Sequence, residues 1–492
     1  MSRAFSFLMR SLDLVVIVVY FVAVVATGLL LAGRQQDAAD YFLGRRGLPW
    51  WAIMLSIVAT ETSALTVISV PGIAARGNLT FLQLAFGYLL GRIGVASLLL
   101  PGYFDGTQET AYQRLERRFG VATRRIASGA FLVTRALGDG VRVYATAIPL
   151  AIITQWSIPA GIFAVGIVTI FYTWVGGLRA VVWVDVIQLV FYLLGAIATI
   201  LIALHAPVHT FAEAWSAGKL TVIDPALSFT RTYTLWGGLI GGALLSAASH
   251  GTDHLIVQRL LASRDLADSK RALIGSGVFI IAQFALFLFV GTALWMAGAD
   301  RPDLAADAIY PTFVVERLPA GIAGLVVAAI LAAAMSTVSS SLNSLASAST
   351  HDFYAPLTGR TDSEHLLKVG RGMTLLWAAI LVGGALLFKN RNTPVVVLAL
   401  SIASITYGGL LGSYLLGGLW RRTRQVDVVI AILVGVAFMI PVVLGFPTRI
   451  LSGLAWPWYV PLGTAVTVLV GMVSSLFGRP DGQTAGRPQA SA

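Results

Sequence analysis

The chain has no cysteine and only six histidines, and just 12% of its 492 residues are charged. Without cysteine there is no disulfide, no thiolate metal site and no thiol nucleophile. So little charge excludes an ordinary soluble domain, in which about a quarter of the residues are charged. Phosphate loops, dinucleotide fingerprints and nucleophile elbows are missing as well, so the common soluble enzyme classes find no support.

What is present is apolar surface. Hydrophobic residues make up 57% of the sequence, and the mean hydropathy is +0.82. Apolar runs of about 18 residues or more recur along the whole length, and roughly 20 helical residues cross a bilayer core. The pattern predicts an all-α polytopic membrane protein with about thirteen transmembrane helices. A single transmembrane domain is expected over 1–478, its core in two stretches at about 51–204 and 235–417. The tail 479–492, rich in Gly, Pro, Gln and Ala, is expected to be disordered. The first apolar run is too long for a signal peptide and lacks a small-residue cleavage site, so it is expected to be a span.

The formal net charge of +11 would suggest nucleic acid in a soluble protein. Here the basic residues sit mostly in short loops, and no nucleic-acid partner is expected. Arg45 and Arg46, the group from Arg114 to Arg125, the group Arg259, Arg264, Lys270 and Arg271, and the group from Arg421 to Arg424 all fall on one side of the predicted spans. By the positive-inside rule that side is the cytoplasm of a plasma-membrane protein, with the N-terminus outside and the C-terminus cytoplasmic.

Three regions carry polar groups where lipid would exclude them. The second span holds Thr60, Glu61, Thr62, Ser63 and Thr66 at its centre. The seventh is interrupted by Ser246, Ser249, His250 and Gly251. Such centres read either as helices unwound at mid-membrane around a ligand or as kinks packed on neighbours. Two interrupted helices five spans apart point to an inverted-repeat transporter with its site between the repeats. The third region is A-A-A-M-S-T-V-S-S-S-L-N from Ala332 to Asn343, where Ala333, Ser336, Thr337 and Ser340 share one helical face. That face is either a cation site built from neutral oxygens or a seam of small residues for helix packing.

Charged groups inside spans narrow the search further. Arg135, Asp139 and Arg142 share a face, so they pair with one another or leave one arginine for an anionic group. Arg92 reads as a snorkelling or structurally paired residue. Asp185 either supplies charge to a cation site or caps a helix at the interface. His250 and His254 have the spacing of a metal-binding helix, but neither the catalytic glutamate nor a third ligand accompanies them. A pocket-lining His250 and an interfacial His254 are expected instead, and an intramembrane metalloenzyme is the remote alternative.

Four segments together resemble the sodium:solute symporter family. They are Y-F-L-G-R-R-G-L-P-W-W from Tyr41, the run from Tyr172 to Gln188, I-V-Q-R-L-L-A-S-R-D from Ile256 to Asp265, and the serine-rich ninth span. The resemblance implies two inverted five-helix repeats of the leucine-transporter kind, and no enzymatic activity. It implies sodium bound by the carbonyls of Ala59, Thr62 and Ala333 and the hydroxyls of Ser336 and Thr337. In some members a second ion is held, by residues corresponding to Asp185, Ser336, Ser339 and Ser340, so one sodium ion or two are expected. The solute, a small polar carboxylate, sugar or amino-acid-like molecule, is expected to meet Glu61, Ser63, Thr66, Arg135, Asp139, Ser246, Ser249 and His250. Glu61, Leu65, Ser246, Ser249 and His250 differ from the sugar-binding residues of the glucose carriers, which tells against a sugar. A monomer working by alternating access is expected, with a proton-coupled carrier of the same fold as the alternative.

Overall fold

The computed structural model describes residues 11–33, 35–106, 108–154, 156–388, 395–444 and 453–477. The tail expected to be disordered lies outside the described residues. Among them every extended element is helical, and the one β-contact is an isolated bridge between Leu48 and Ser263. The main helices are α1 (Ser11–Ala32), α2 (Trp50–Glu61), α3 (Ala64–Arg76), α4 (Leu82–Gly94), α5 (Val121–Thr154), α6 (Ile158–Ala203) and α7 (Gly242–Gly251). They are followed by α8 (His254–Leu261), α9 (Leu266–Met296), α10 (Ile322–Ala348), α11 (Ser363–Leu387), α12 (Val395–Leu419), α13 (Gln425–Leu444) and α14 (Tyr459–Phe477).

Nine helices among the described residues are long and apolar enough to cross a membrane, or ten if the bent pair α2 and α3 is one span. The three further spans expected from the sequence depart from that description for local reasons. Helix α6 has 46 residues, about 69 Å at 1.5 Å per residue, more than twice a hydrocarbon core of about 30 Å. It is two arms joined at Gly177, where φ is +55°. Helix α5 is long enough but carries Arg135, Asp139 and Arg142 in its middle. Helix α7 has ten residues and is prolonged backwards by a π-helical turn, Gly237–Gly241.

Gly177 shows why that joint needs glycine. A side chain there would have to adopt a left-handed backbone. Its Cβ would also lie 2.4 Å from the carbonyl oxygen of Tyr41.

Helix α10 is the axis of the bundle. In the apolar 18-residue stretch that marks the span from Ile322 to Thr358, 89% is buried, against 22% in that of α1. Its contacts with α6 are the most extensive between any two helices. Small residues permit this: Ala329 lies against Gly195 of α6, and Gly324 against the backbone of Asp13 in α1. Asp13 also caps α10, its Oδ1 accepting the amides of Gly321 at 2.7 Å and Gly324 at 2.8 Å. A carboxylate on an N-terminus satisfies orphan donors and complements the helix dipole.

The loops meet at two ends. At one, Leu48 pairs with Ala262 (3.4 Å), Arg46 with the carbonyl of Gln108 (2.7 Å) and Arg118 with that of Arg421 (3.0 Å). At the other, Leu79 pairs with Thr221 (3.0 Å), Val208 with Met296 (2.7 Å) and Arg76 with the carbonyl of Arg301 (2.7 Å). Most of the predicted basic groups thus come together at one end. Arg259 and Arg124 are exceptions: the sequence grouped them with loop charges, yet both are buried, Arg259 completely. Gly177→Ala should lower the melting temperature of the detergent-purified protein, with a cost of about 2 kcal/mol or more from the clash and the left-handed backbone. Gly94→Ala, whose Cβ meets nothing within 4 Å, should leave melting unchanged or raise it slightly.

Candidate functional site

Helices α2 and α3 are bent by 64° across a short break. The amide of Ser63 turns to the carbonyl of Glu61 (3.1 Å), so the carbonyl of Ala59 has lost the donor a continuing helix would supply. The ladder resumes where Val67 donates to Ser63 at 3.2 Å. The polar, β-branched run T-E-T-S supplies the local cause, because these side chains compete for backbone groups. Thr62 does so openly, its hydroxyl donating to Val58 at 2.8 Å.

Helix α10 crosses this break with its hydroxyl face. Thr337 Oγ1 donates to the carbonyls of Thr60 and Ala333, both at 3.3 Å. Ala59, Thr62, Ala333 and Thr337 therefore gather around one junction. The fifth residue of the set, Ser336, points its hydroxyl to Asp185 Oδ1 at 2.6 Å. The oxygens of this junction are carbonyls and hydroxyls, a donor set suited to a hard monovalent cation.

Asp185 lies in the second arm of α6 and is wholly buried, not at the interface. Its Oδ2 accepts Ser56 (2.6 Å), Thr60 (3.3 Å) and Arg259 Nη2 (3.2 Å). Arg259 also donates to Ser340 Oγ and, from Nε, to Ser56 at 2.9 Å. The hydroxyls of Ser339 and Ser340 bond back to the carbonyl of Ser336 at 3.0 and 2.7 Å. Asp185, Ser336, Ser339 and Ser340 thus stand together, with the guanidinium of Arg259 among them. Nothing in the local sequence flags Arg259; the signal was a lone carboxylate in an apolar span, which requires a cation nearby.

Beside the break lies a cavity of about 120 Å³. Glu61, Ser63, Thr66, Arg135, Ser246, Ser249 and His250 all line it, and so does Leu65. Asp139 does not: it is buried behind the wall, held by Arg142 and 3.5 Å from Arg135. Arg142, expected only as part of the charged face it shares with Arg135 and Asp139, lines it too, and sequence reasoning missed Tyr88, Phe284 and Tyr407 in the same wall. It also left the partner of Arg92 open. That residue is fully buried and bonds Glu61 and Ser276 Oγ (2.6 Å), so it does not snorkel.

Helix α7 runs unbroken through Ser246 to Gly251, and the expected interruption falls later, at Thr252–Asp253. The serines keep the ladder intact because Ser249 bonds back to Ser246 O (3.3 Å), as does Nδ1 of His250 (3.1 Å). Nε2 of His250 sits 3.7 Å from Glu61. His254 is buried rather than interfacial, its Nε2 3.1 Å from Ser347 Oγ. The two imidazoles therefore serve different surroundings, and no cluster of three metal-ligating side chains occurs among the described residues.

A family model of the sodium:solute symporters matches residues 41–435. A sodium/sialic acid symporter from Aliivibrio fischeri is 28% identical, the match covering 94% of this chain and 93% of the relative. A human sodium/iodide cotransporter is 30% identical over 85% of this chain and 66% of its own length. The solved structure of a Na⁺-coupled sialic acid symporter in a substrate-bound outward-open state superposes with a TM-score of 0.86 at 26% identity, covering 95% of this chain and 98% of that one.

Glu61 is the only carboxylate bonded to Arg92 in the described structure. Glu61→Gln should destabilise the protein, toward the lower end of about 3–5 kcal/mol because Glu61 opens partly onto the cavity. The double change Glu61→Gln with Arg92→Met should regain much of the loss. Melting curves of the parent and these two variants decide the matter; a Glu61→Gln protein as stable as the parent would show that the pair does not hold α2 to α4.

Proposed function

Because the chain belongs to the sodium:solute symporter family, and is a membrane transporter rather than an enzyme, we propose that it carries a small polar organic solute into the cell together with sodium. The observation that carries this reading is the junction at Thr62, where an interrupted helix faces the hydroxyls of α10. Sodium held by the carbonyls of Ala59, Thr62 and Ala333 and the hydroxyls of Ser336 and Thr337 ties α2 to α10 and favours one of the two orientations of the carrier. Ser336 joins by rotating its hydroxyl from Asp185. The solute occupies the adjoining cavity against Glu61, Ser63, Thr66, Arg135, Ser246, Ser249 and His250, with Asp139 pairing the arginines from behind.

In this reading the thirteen spans are α1, the α2/α3 pair, α4, α5, the two arms of α6, α7 with its π-helical turn, and α9 to α14. Spans two to six and seven to eleven form two inverted repeats. The basic end faces the cytoplasm of the plasma membrane, the N-terminus lies outside, and a monomer suffices for transport. A second sodium ion at Asp185, Ser336, Ser339 and Ser340 enters once Arg259 has withdrawn from Asp185 and Ser340, since these oxygens already hold the guanidinium. A Hill slope for sodium that stays at one in both the parent and Ser340→Ala would remove that second ion from the mechanism.

The junction itself is tested by a thermal-shift screen of small acids, sugars and amino acids, with NaCl against choline chloride. In the parent a true solute should stabilise only when sodium is present; ligand at about a hundred times its Kd adds roughly 2.7 kcal/mol. Thr337→Val keeps the side-chain volume but removes one proposed ligand, so it should abolish most of the sodium-dependent shift, and Thr337→Ser should restore it. An unchanged sodium response in Thr337→Val would sink the assignment.

A further inference from the structure

The charged groups around the cavity and those around the serine-rich face are joined by one short helix. Asp253 stands just before α8, in the break that ends α7. Its Oδ1 accepts the amide of Leu255 at 2.9 Å, capping the helix. Its Oδ2 accepts Arg135 and the hydroxyl of Tyr407, the latter at 2.7 Å. Arg135 and Tyr407 line the cavity. At the other end of α8, Arg259 reaches Asp185, Ser340 and Ser56. Its Nη1 also donates to the carbonyl of Leu255 at 2.9 Å. The peptide groups of a single residue, Leu255, are therefore held by the two charged side chains that look in opposite directions.

Both side chains are buried and both ends of the link are charge-assisted bonds, so neither can shift without exposing an unpaired charge. Helix α8 is eight residues long and buried throughout. A helix of this size moves as a body. A change in what Arg135 binds is thereby felt at Asp185, and a change at Asp185 is felt in the cavity.

We infer that α8 is the element through which the solute cavity and the sodium helix sense each other, with Asp253 and Arg259 as its positioning residues. Asp253 holds Arg135 as an anionic group of the solute would, and so keeps the arginine paired and in place before a solute arrives. Deleting the Asp253 carboxylate leaves α8 free to turn, so that Arg259 no longer fixes Ser340 and the hydroxyl face of α10, and sodium at the Thr62 junction binds more weakly; the second ion at Asp185 is a separate event. Neither Asp253 nor Tyr407 belongs to the proposed sodium ligands, so their effect on sodium is the mark of coupling rather than of coordination.

This inference rests on sodium binding at the Thr62 junction, and the experiment separates the two. The full chain in detergent is titrated with NaCl at constant ionic strength, choline chloride making up the balance, and the melting temperature is followed. Asp253→Ser retains a capping hydroxyl for Leu255 but deletes the carboxylate. Its sodium midpoint should rise about fivefold or more, the lower edge of ordinary coupling energies. Tyr407→Phe, a milder change that loses one bond to the same carboxylate, should raise the midpoint in the same direction by a smaller factor. A purely structural role would lower both melting curves and leave the midpoints where they are. If the parent responds to sodium and both variants share its midpoint, the inference is overturned. If the parent itself does not respond to sodium, the junction reading fails first.

Discussion

A charge in the middle of an apolar bundle must have its opposite within reach, and Asp185 and Arg259 satisfy that requirement for each other with neither exposed to solvent. Removing one partner would strand the other at a cost of several kcal/mol, so the second arm of α6, the second half of α2, α8 and α10 are fixed together around the pair. Ser56, Thr60, Ser336 and Ser340 fill the remaining bonding positions of the carboxylate and the guanidinium. The orientation of the hydroxyl face of α10 follows from this arrangement. The same helix cannot rotate to hide its serines in a packing seam without breaking the bonds of Ser336 and Ser340 to the pair.

Much of this was legible before any coordinates. The mid-span polar run T-E-T-S in α2 announces a break because those residues have local alternatives to the helical ladder, and the break falls within it. The spacing of Ser336, Thr337 and Ser340 defines a face whatever its partners are. The cavity residues were legible for a similar reason: a polar side chain in an apolar span is either lining a cavity or paired, and most here line it.

What the sequence hid were the choices between those two fates. Asp139 and Glu61 look alike along the chain, yet one is buried behind Arg142 and the other opens onto the cavity beside Arg92. Arg259 lies in a run of basic residues that resembles a cytoplasmic loop, and only the packing of α8 turns it inward. The position of the break after α7 was also misplaced, since Ser246 and Ser249 look like helix breakers but the helix runs on through both, Ser249 bonding back to the carbonyl of Ser246. Glu61 finds its partner 31 residues away and Arg259 reaches back 74 residues to Asp185, whereas Asp139 and Ser249 find theirs within their own helix; local pattern does not say which of these the packing selects.

Around the cavity the described charges come in equal numbers: Arg92, Arg135 and Arg142 face Glu61, Asp139 and Asp253, while Asp185 and Arg259 balance each other deeper in. The fixed charge of these eight groups therefore sums to zero. A membrane potential does work only on net charge carried through it, about 2.3 kcal/mol per elementary charge for each 100 mV. These groups add no net charge on which a membrane potential can work, so in the proposed cycle the electrical driving force acts on the cation.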